Sequence, residues 1–216
     1  MAYPIELDMS GKLAVIIGGG RVAVRKLRRL LEEGAKVRLI APKALPEIMQ
    51  QAADDKIEWI KQEYPVKGGG GLLVGGFIAF AASGDRQADR AVLRDAGALG
   101  IMCNMASEPG RGDFAVPARM KRGEFSIMVS TNGGSPELSR AVCAELDEHY
   151  GNQWGEFLAW VKDKRSSLAN VGTPDERRDM WRRALSLDVM ELVHDGKLEE
   201  AERKADNAAC RFGAES

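Results

Sequence analysis

The amino-acid sequence predicts an α/β protein: a doubly wound parallel sheet, then a small β element and a helical C-terminal part. Three observations support this class. Short apolar runs alternate with amphipathic segments over the first hundred residues, a two-strand pattern begins near residue 113, and the chain after Pro136 has a helical pattern almost throughout. Strand–helix alternation is typical of a parallel sheet covered on both faces. We therefore expect three segments, 1–112, 113–148 and 149–216.

The first strand and the first helix have the clearest signals. The continuous apolar run Leu13–Ile17 is typical of a strand buried on both faces. Apolar residues then recur at helical spacing from Ala23 to Leu31, and Gly34 stands where a C-cap glycine belongs. The basic run from Arg25 to Arg29 is interpreted as the solvated face of this helix.

Further strands and helices follow in alternation. We predict strands over 37–41, 57–60, 77–81 and 99–103, and helices over 45–53 and 86–96. A glycine-rich stretch at 68–76 lies before the fourth strand, but it lacks the Lys-Ser/Thr pair of a P-loop.

The second half of the chain begins with a predicted hairpin. Strands are expected over 114–116 and 125–129, with a turn over 121–124 between them. Helices are expected from Pro136 onward, with breaks near Gly151, at 172–174 and at 195–196.

The composition limits the possible functions. The 216 residues include 31 Lys and Arg and 32 Asp and Glu, a formal net charge of −1. This balance provides no overall field for gathering nucleic acid or anionic membrane. No apolar stretch approaches the roughly 20 residues of a membrane span, and no signal-peptide pattern is present, so we expect a cytoplasmic protein. Three scattered cysteines and two histidines argue against a disulfide framework and a zinc–cysteine site, and we predict no metal site.

A nucleotide-binding motif lies between the first strand and the first helix. The residues from Gly18 to Ala23 fit the pattern G-x-G-x-x-G/A. Glycine permits the tight turn, Gly20 lets the backbone approach a pyrophosphate, and the helix N-terminus offers free N–H groups and a partial positive charge. A glycine turn without a ligand is the alternative, but the flanking strand and amphipathic helix favour a Rossmann-like dinucleotide site. Its candidate contacts are Gly18, Gly20, Arg21 and Val22.

The loop after the second strand bears on the choice of cofactor. A site for NAD usually carries Asp or Glu about 20 residues beyond the glycines, whereas this chain has Ala41, Pro42 and Lys43 there. Lys43 could contact the 2′-phosphate of NADP, or it could simply be solvated. All three residues are candidate cofactor contacts.

Together with later motifs, the glycine turn resembles the precorrin-2 dehydrogenase/sirohydrochlorin ferrochelatase family, which includes the N-terminal module of the multifunctional sirohaem synthases. The motifs occur in order at 18–26, 81–83, 103–104, 114–117 and 130–136, and the resemblance covers nearly the whole chain. It implies NAD-dependent oxidation of precorrin-2 to sirohydrochlorin, sometimes followed by insertion of ferrous iron. It also implies Ala82 and Ser83 as cofactor contacts, and a homodimer with 113–148 as a central dimerisation element and 149–216 as a helical domain.

The resemblance breaks at one position. The family usually carries an aspartate, implicated as an acid/base in both reactions, three residues beyond Asn104, where this chain has Ser107. A serine hydroxyl does not accept a proton near neutral pH unless a base activates it. Glu108 or Asp113 could serve if the loop turns one of them inward. The catalytic candidates are therefore Ser107, Glu108 and Asp113, and iron insertion is more in doubt than hydride transfer.

A polar cluster precedes the helix at Pro136. Helix capping accounts for Ser135 and Pro136 but not for the polar residues before them. The matching loop of the family lines the tetrapyrrole pocket, which implies that the substrate contacts are Asn104, Ser130, Thr131, Asn132 and Gly133.

The sequence thus favours a precorrin-2 dehydrogenase with NAD as cofactor, acting as a homodimer on a tetrapyrrole, without nucleic acid or membrane partners. A nucleotide- and tetrapyrrole-binding carrier without turnover is the alternative, favoured by Ser107. An oxidoreductase for an unrelated small substrate rests on fold analogy alone.

Overall fold

The protein forms two compact units, which divide between Val116 and Pro117. They are described from a computed structural model that covers residues 2–108 and 110–213. The predicted α/β class, with a parallel sheet, a small β element and a helical C-terminal part, is confirmed. The three-segment division remains a prediction.

The first unit is a five-stranded parallel sheet with the strand order β3-β2-β1-β4-β5. Its strands are β1 (Leu13–Ile17), β2 (Lys36–Ile40), β3 (Glu58–Ile60), β4 (Ile78–Ala81) and β5 (Met102–Met105). Its helices are α1 (Arg21–Glu32), α2 (Pro46–Ala53) and α3 (Arg86–Ala98), with a 3₁₀ turn at Gly69–Leu73. Because the chain leaves β1 toward β2 on one side and reaches β4 on the other, β1 and β4 form the switch point where such sheets bind ligands.

Both faces of this sheet are buried, as continuous apolar runs require. On one face Ala14 and Ile16 pack with Leu27 of α1 and Ile48 of α2. On the other face Val15 and Ile17 of β1 pack with Ala79 and Ala81 of β4 and with Ala91 and Val92 of α3. The alternation along β1 therefore places one helix layer on each side.

The second unit combines a β-hairpin with five helices. The hairpin joins β6 (Ala118–Arg122) to β7 (Phe125–Val129) in antiparallel register. The helices are α4 (Pro136–His149), α5 (Gln153–Ser167), α6 (Pro174–Ala184), α7 (Leu187–His194) and α8 (Leu198–Gly213). In its main apolar cluster Phe157, Val161, Val189 and Val193 pack with alanines of α6 and α8.

The strand predicted over 114–116 is wrong. These residues are irregular, and the hairpin begins at Ala118 with a two-residue turn at Gly123–Glu124. The reason is that this segment is hydrogen-bonded to β5 near its start and not paired as a strand of the hairpin. Asp113 N–H donates to the Cys103 carbonyl at 2.8 Å, and Asn104 Nδ2 donates to the Phe114 carbonyl at 2.8 Å.

Two other boundaries differ from the prediction. Helix α3 continues to Ala98, so that β5 begins at Met102 and not at residue 99. A break between α6 and α7 was not predicted, and it falls where Ser186 precedes Leu187 and Asp188, a helix-start signal. Among the described residues, no helix combines the length and apolarity that crossing a membrane requires.

Candidate functional site

The loops that follow three strands, β1, β2 and β4, are fixed at the carboxyl-terminal edge of the first unit's sheet. Gly18 N–H donates to the Ile40 carbonyl at 2.9 Å, and Ala41 N–H to the Ile60 carbonyl at 3.1 Å. Ala82 N–H donates to the Ile17 carbonyl at 2.8 Å. The sheet ladder thus extends one residue beyond the strands, which brings the predicted contacts at 18–22, 41–43 and 82–83 to one edge.

The three consecutive positions of the turn differ in why they carry glycine. Gly18 has a φ of 122°, and a Cβ there would lie 2.1 Å from the Ala82 carbonyl oxygen. A Cβ on Gly19 would lie 2.2 Å from the Lys43 carbonyl oxygen. Gly20 has a φ of −90°, and a Cβ there would meet no atom within 4 Å. The fold requires glycine at the first two positions, whereas at Gly20 it leaves open space.

That space lies at the N-terminus of α1. Gly20 is the N-cap residue and makes no side-chain cap, and the first turn contains no acidic residue. The N–H groups of a first helical turn lack partners within the helix and carry a partial positive charge. Val22 is partly exposed and Arg21 is exposed, so this end of the helix is open to an anion. An open approach beside unoccupied N–H donors fits the pyrophosphate of a dinucleotide.

The loop after β2 borders the candidate cofactor site with its backbone more than with its side chains. Ala41 is buried, and its carbonyl accepts from Trp59 Nε1 at 3.0 Å. Pro42 and Lys43 are exposed. Because no acid follows β2 and Lys43 lies in solvent, both interpretations of that lysine stay open.

A buried carboxylate that the sequence did not indicate lies behind the loop after β4. Asp89 of α3 is 0% exposed. The Ser83 N–H and hydroxyl donate to its Oδ1 at 3.0 and 2.7 Å, and the Ser107 hydroxyl donates to its Oδ2 at 2.7 Å. Asp89 therefore joins a predicted cofactor contact to a predicted catalytic position. A signal existed in the sequence, since Asp89, Val92 and Ala96 share one helical stripe that is otherwise apolar.

The two other acidic candidates are engaged elsewhere. Glu108 Oε1 accepts from Arg90 Nε at 3.0 Å, and its Oε2 pairs with Arg111 Nε at 2.8 Å. Asp113 Oδ2 accepts from Cys103 N–H at 2.8 Å, which fixes the segment after the loop to β5. In the part of the chain that the structure describes, neither carboxylate is hydrogen-bonded to the Ser107 hydroxyl, which donates to Asp89 instead. Either would have to give up its present bonds to act as the base of Ser107.

The first helix also carries a lysine that is not simply solvated. Lys26 Nζ lies 5.1 Å from the centroid of the Phe80 ring, and Phe80 packs edge-on against Phe114. Burial, reinforced by the charges of Arg25 and Arg29, lowers the pKa of Lys26 to about 8. The interpretation of this face as wholly solvated is therefore wrong at Lys26.

The polar cluster of the second unit is partly used within its own loop. The Thr131 hydroxyl donates to the Ser135 carbonyl at 3.0 Å and accepts from Ser135 N–H at 3.1 Å. Asn132 and Gly133 are exposed, with φ values of 51° and 81°. Ser130 is exposed and its hydroxyl accepts from Asn132 N–H at 3.2 Å. Thr131 therefore fixes the loop, whereas Ser130, Asn132 and Gly133 remain accessible.

The helical unit contains two surface depressions without a predicted site residue. One is lined by charged side chains of α7 and α8, including Asp188, Glu191 and Lys204. The other lies against Trp154 and Met190. Within the described ranges, no cluster of three His, Cys, Asp or Glu side chains is placed to hold a metal ion.

Comparison with known families matches both units. Residues 5–118 match the family described as "Putative NAD(P)-binding". Residues 153–208 match the family described as "Sirohaem synthase dimerisation region". The first match covers more than half of the chain and includes every residue of the sheet-edge site.

Individual relatives agree with these families. The chain is 30% identical to a siroheme synthase of Chromobacterium violaceum over 210 residues, 97% of this chain and 42% of the relative. It is 32% identical to a siroheme synthase of Methylococcus capsulatus over 212 residues, 96% of this chain and 44% of the relative. The chain thus spans about two fifths of the length of these relatives.

A solved structure shares the fold. The protein named "SirC, precorrin-2 dehydrogenase" superposes with a TM-score of 0.74 at 21% identity, covering 95% of this chain and 100% of that one. At this identity the likeness establishes the architecture.

Proposed function

We propose a function for this protein from one premise: the chain belongs to the precorrin-2 dehydrogenase/sirohydrochlorin ferrochelatase family. The proposed activity is the oxidation of precorrin-2 to sirohydrochlorin, with NAD as hydride acceptor, in the biosynthesis of sirohaem or a related tetrapyrrole. The solved protein that shares the fold is named for this activity, and the family of residues 5–118 supports a nicotinamide cofactor.

The observation that carries the proposal is the open space at Gly20. A glycine whose Cβ would meet nothing, beside helix N–H groups without a side-chain cap, is unexplained by folding and explained by a bound pyrophosphate. Gly18, Gly20, Arg21 and Val22 would bind the phosphates. Backbone at Ala41, Pro42 and Lys43 and at Ala82 and Ser83 would border the rest of the cofactor.

The dinucleotide, when bound, supplies a hydride acceptor. The chain's own contribution is to orient the two reactants and to accept the proton that the oxidation also releases. Among the predicted catalytic residues, Ser107 is the one that is hydrogen-bonded to a buried carboxylate, and it is itself partly exposed. We therefore favour Ser107 over Glu108 and Asp113 as the group that meets the substrate.

For substrate recognition we propose the exposed polar loop of the second unit and, as a separate candidate contact, Asn104 of the first unit. Precorrin-2 carries many carboxylates, and the hydroxyl of Ser130, the amide of Asn132 and the backbone of Gly133 can donate to them. The match of residues 153–208 to a dimerisation region supports a homodimer, which light scattering of the purified protein would test. We place the protein in the cytoplasm, where the substrate and NAD are both available.

The deciding experiment mixes purified protein, NAD and precorrin-2 and follows sirohydrochlorin and NADH by absorbance. The proposal predicts that both appear in equal amounts, at a rate proportional to enzyme concentration. A protein that binds NAD and precorrin-2 without a spectral change would be a carrier. This is the alternative function that Ser107, in place of the family's aspartate, favours. Repeating the assay with NADP tests the choice of cofactor, and we expect NAD to give the higher kcat/KM.

A further inference from the structure

Asp89 presents a physical question that the packing of α3 does not answer. Of the acidic side chains that the structure describes, Asp89 is the only buried one. Within the same residues, no cation pairs with it. Removing a carboxylate from water is costly, and a neutral side chain of similar shape satisfies neutral donors without that cost. Its partners, Ser83 and Ser107, are neutral donors. The charge itself therefore requires a reason.

The position of Asp89 supplies one. Its Oδ1 accepts two bonds from Ser83, and a Cβ on Gly18 would lie only 3.0 Å from the Ser83 Cα, so the network begins at the glycine turn. Its Oδ2 accepts the hydroxyl of Ser107 at 2.7 Å. Ser107 is partly exposed, whereas Asp89 is sealed behind it. Two hydroxyls join the buried carboxylate to the surface, those of Ser83 and Ser107, and Ser107 is the one at the predicted catalytic position.

We propose that Asp89 is the positioning residue that makes Ser107 competent as a proton acceptor in the proposed dehydrogenation, on which this inference rests. The substrate loses a hydride, which leaves with two electrons to the nicotinamide, and one proton. That proton passes to Ser107 Oγ as the Ser107 hydroxyl proton passes to Asp89 Oδ2. The carboxylate becomes a carboxylic acid, the serine is unchanged, and reversal through Ser107 to water resets the pair.

The same geometry excludes simpler roles for the carboxylate. Asp89 does not cap α3, because Asp85 is the N-cap residue and accepts from Gln87 and Ala88 N–H. It cannot touch the substrate, because none of its surface is exposed. Bracing the loop at Ser83 needs only acceptor atoms, which an asparagine also has.

The first test is Asp89→Asn, which keeps the shape and an acceptor for Ser83 but removes the charge. A contribution of general-base size predicts that kcat falls about 100-fold or more, with KM for precorrin-2 and Kd for NAD within about threefold of wild type. Ser107→Ala should lose as much, and the two changes together no more than either alone, because the residues act as one unit. Asp85→Asn is the matched control: it removes the same charge one turn earlier and should leave kcat unchanged.

The second test moves the carboxylate. Ser107→Asp alone places two carboxylates in contact, which should lower the melting temperature, because like charges at this distance cannot both ionise freely. Asp89→Asn combined with Ser107→Asp leaves one carboxylate in the pair. It should recover both the melting temperature and most of the lost kcat. The melting temperatures report on the pair independently of activity.

The outcomes separate this inference from the proposed function. A wild-type protein without dehydrogenase activity overturns both. An active wild type with Asp89→Asn within about threefold of its kcat, or an exchanged pair as slow as Asp89→Asn alone, overturns the role of Asp89 only. If Asp89→Asn does not fold, Ser107→Ala carries the test, since it changes a partly exposed side chain. A Ser107→Ala variant with wild-type kcat would contradict the inference.

Discussion

Replacing Gly20 by aspartate should separate cofactor binding from folding. Gly20 occupies the N-cap position with a φ of −90°, which any residue adopts, and a Cβ there meets no neighbour. Aspartate is a better N-cap than glycine by a few tenths of a kcal/mol, and loss of glycine's freedom in the unfolded chain adds about 0.4–1 kcal/mol. The free energy of unfolding of Gly20→Asp should therefore be higher by about 0.5–1.5 kcal/mol.

The same carboxylate should prevent NAD binding. With the phosphates bound at this helix end as proposed, two unit charges at a separation of about 4 Å would repel by about 4 kcal/mol at an effective dielectric constant near 20. This corresponds to a rise of about 1,000-fold in Kd. Isothermal titration calorimetry gives the Kd, and urea denaturation gives the stability.

Two variants serve as controls for this experiment. Gly20→Asn has nearly the same size and caps equally well, so the difference in Kd between the two variants isolates the charge. Gly18→Ala should instead destabilise the fold, because its φ is 122° and its Cβ would lie 2.1 Å from the Ala82 carbonyl oxygen. A Gly20→Asp protein that binds NAD like wild type, or that fails to fold, would refute the assignment of this turn.

Three further predictions concern the rest of the first unit. Lys26→Met should stabilise the fold at pH 7 by about 1–3 kcal/mol, because burial lowers the pKa of Lys26 from 10.5 to about 8 and so disfavours its charged form in the folded protein. Urea denaturation should show this gain in stability vanishing as the pH rises from 8 to 10.5. A gain that persists at pH 10.5 would contradict the prediction. Burial raises the pKa of the Cys103 thiol to about 12, so iodoacetamide at pH 8 should label it, by mass spectrometry, only after denaturation; rapid labelling of the native protein would be inconsistent with its burial. Incubation of sirohydrochlorin with ferrous or cobaltous ion should give metal insertion at a rate little above background, because Asp89 is sealed from any metal and Ser107 offers no carboxylate; an enzyme-proportional rate would show that another base serves.

The elements that the sequence predicted best are those whose signals are local. The apolar run Leu13–Ile17 forms β1 with the predicted boundaries, since burial on both faces leaves no polar position to confuse the pattern. Helix α4 begins at Pro136, because Ser135 accepts from Leu138 N–H and proline suits the first helical position. The glycine turn is similar, as its motif includes the strand and helix that flank it.

The features that were missed depend on residues distant in the chain. The apolar stretch at 114–116 resembles a strand, but Cys103 and Asn104 hold its start and keep it irregular. Asp89 resembles any acid on an amphipathic helix, and the Ser107 hydroxyl that donates to it lies 18 residues later in the chain. Periodicity cannot reveal such bonds. The only sequence signal for the buried Asp89 is its position on an otherwise apolar stripe of the helix.

The location of the cofactor can be measured residue by residue. In a ¹⁵N-labelled protein titrated with NAD, the backbone amide signals of Arg21, Val22 and Ala23, and of Ala82 and Ser83, should shift most and saturate together. This result would place the phosphates at the N-terminus of α1 and the remainder of the dinucleotide along the edge of the sheet. Saturable shifts confined to the helical unit, with the amides of the glycine turn unmoved, would contradict the site on which the proposed chemistry depends.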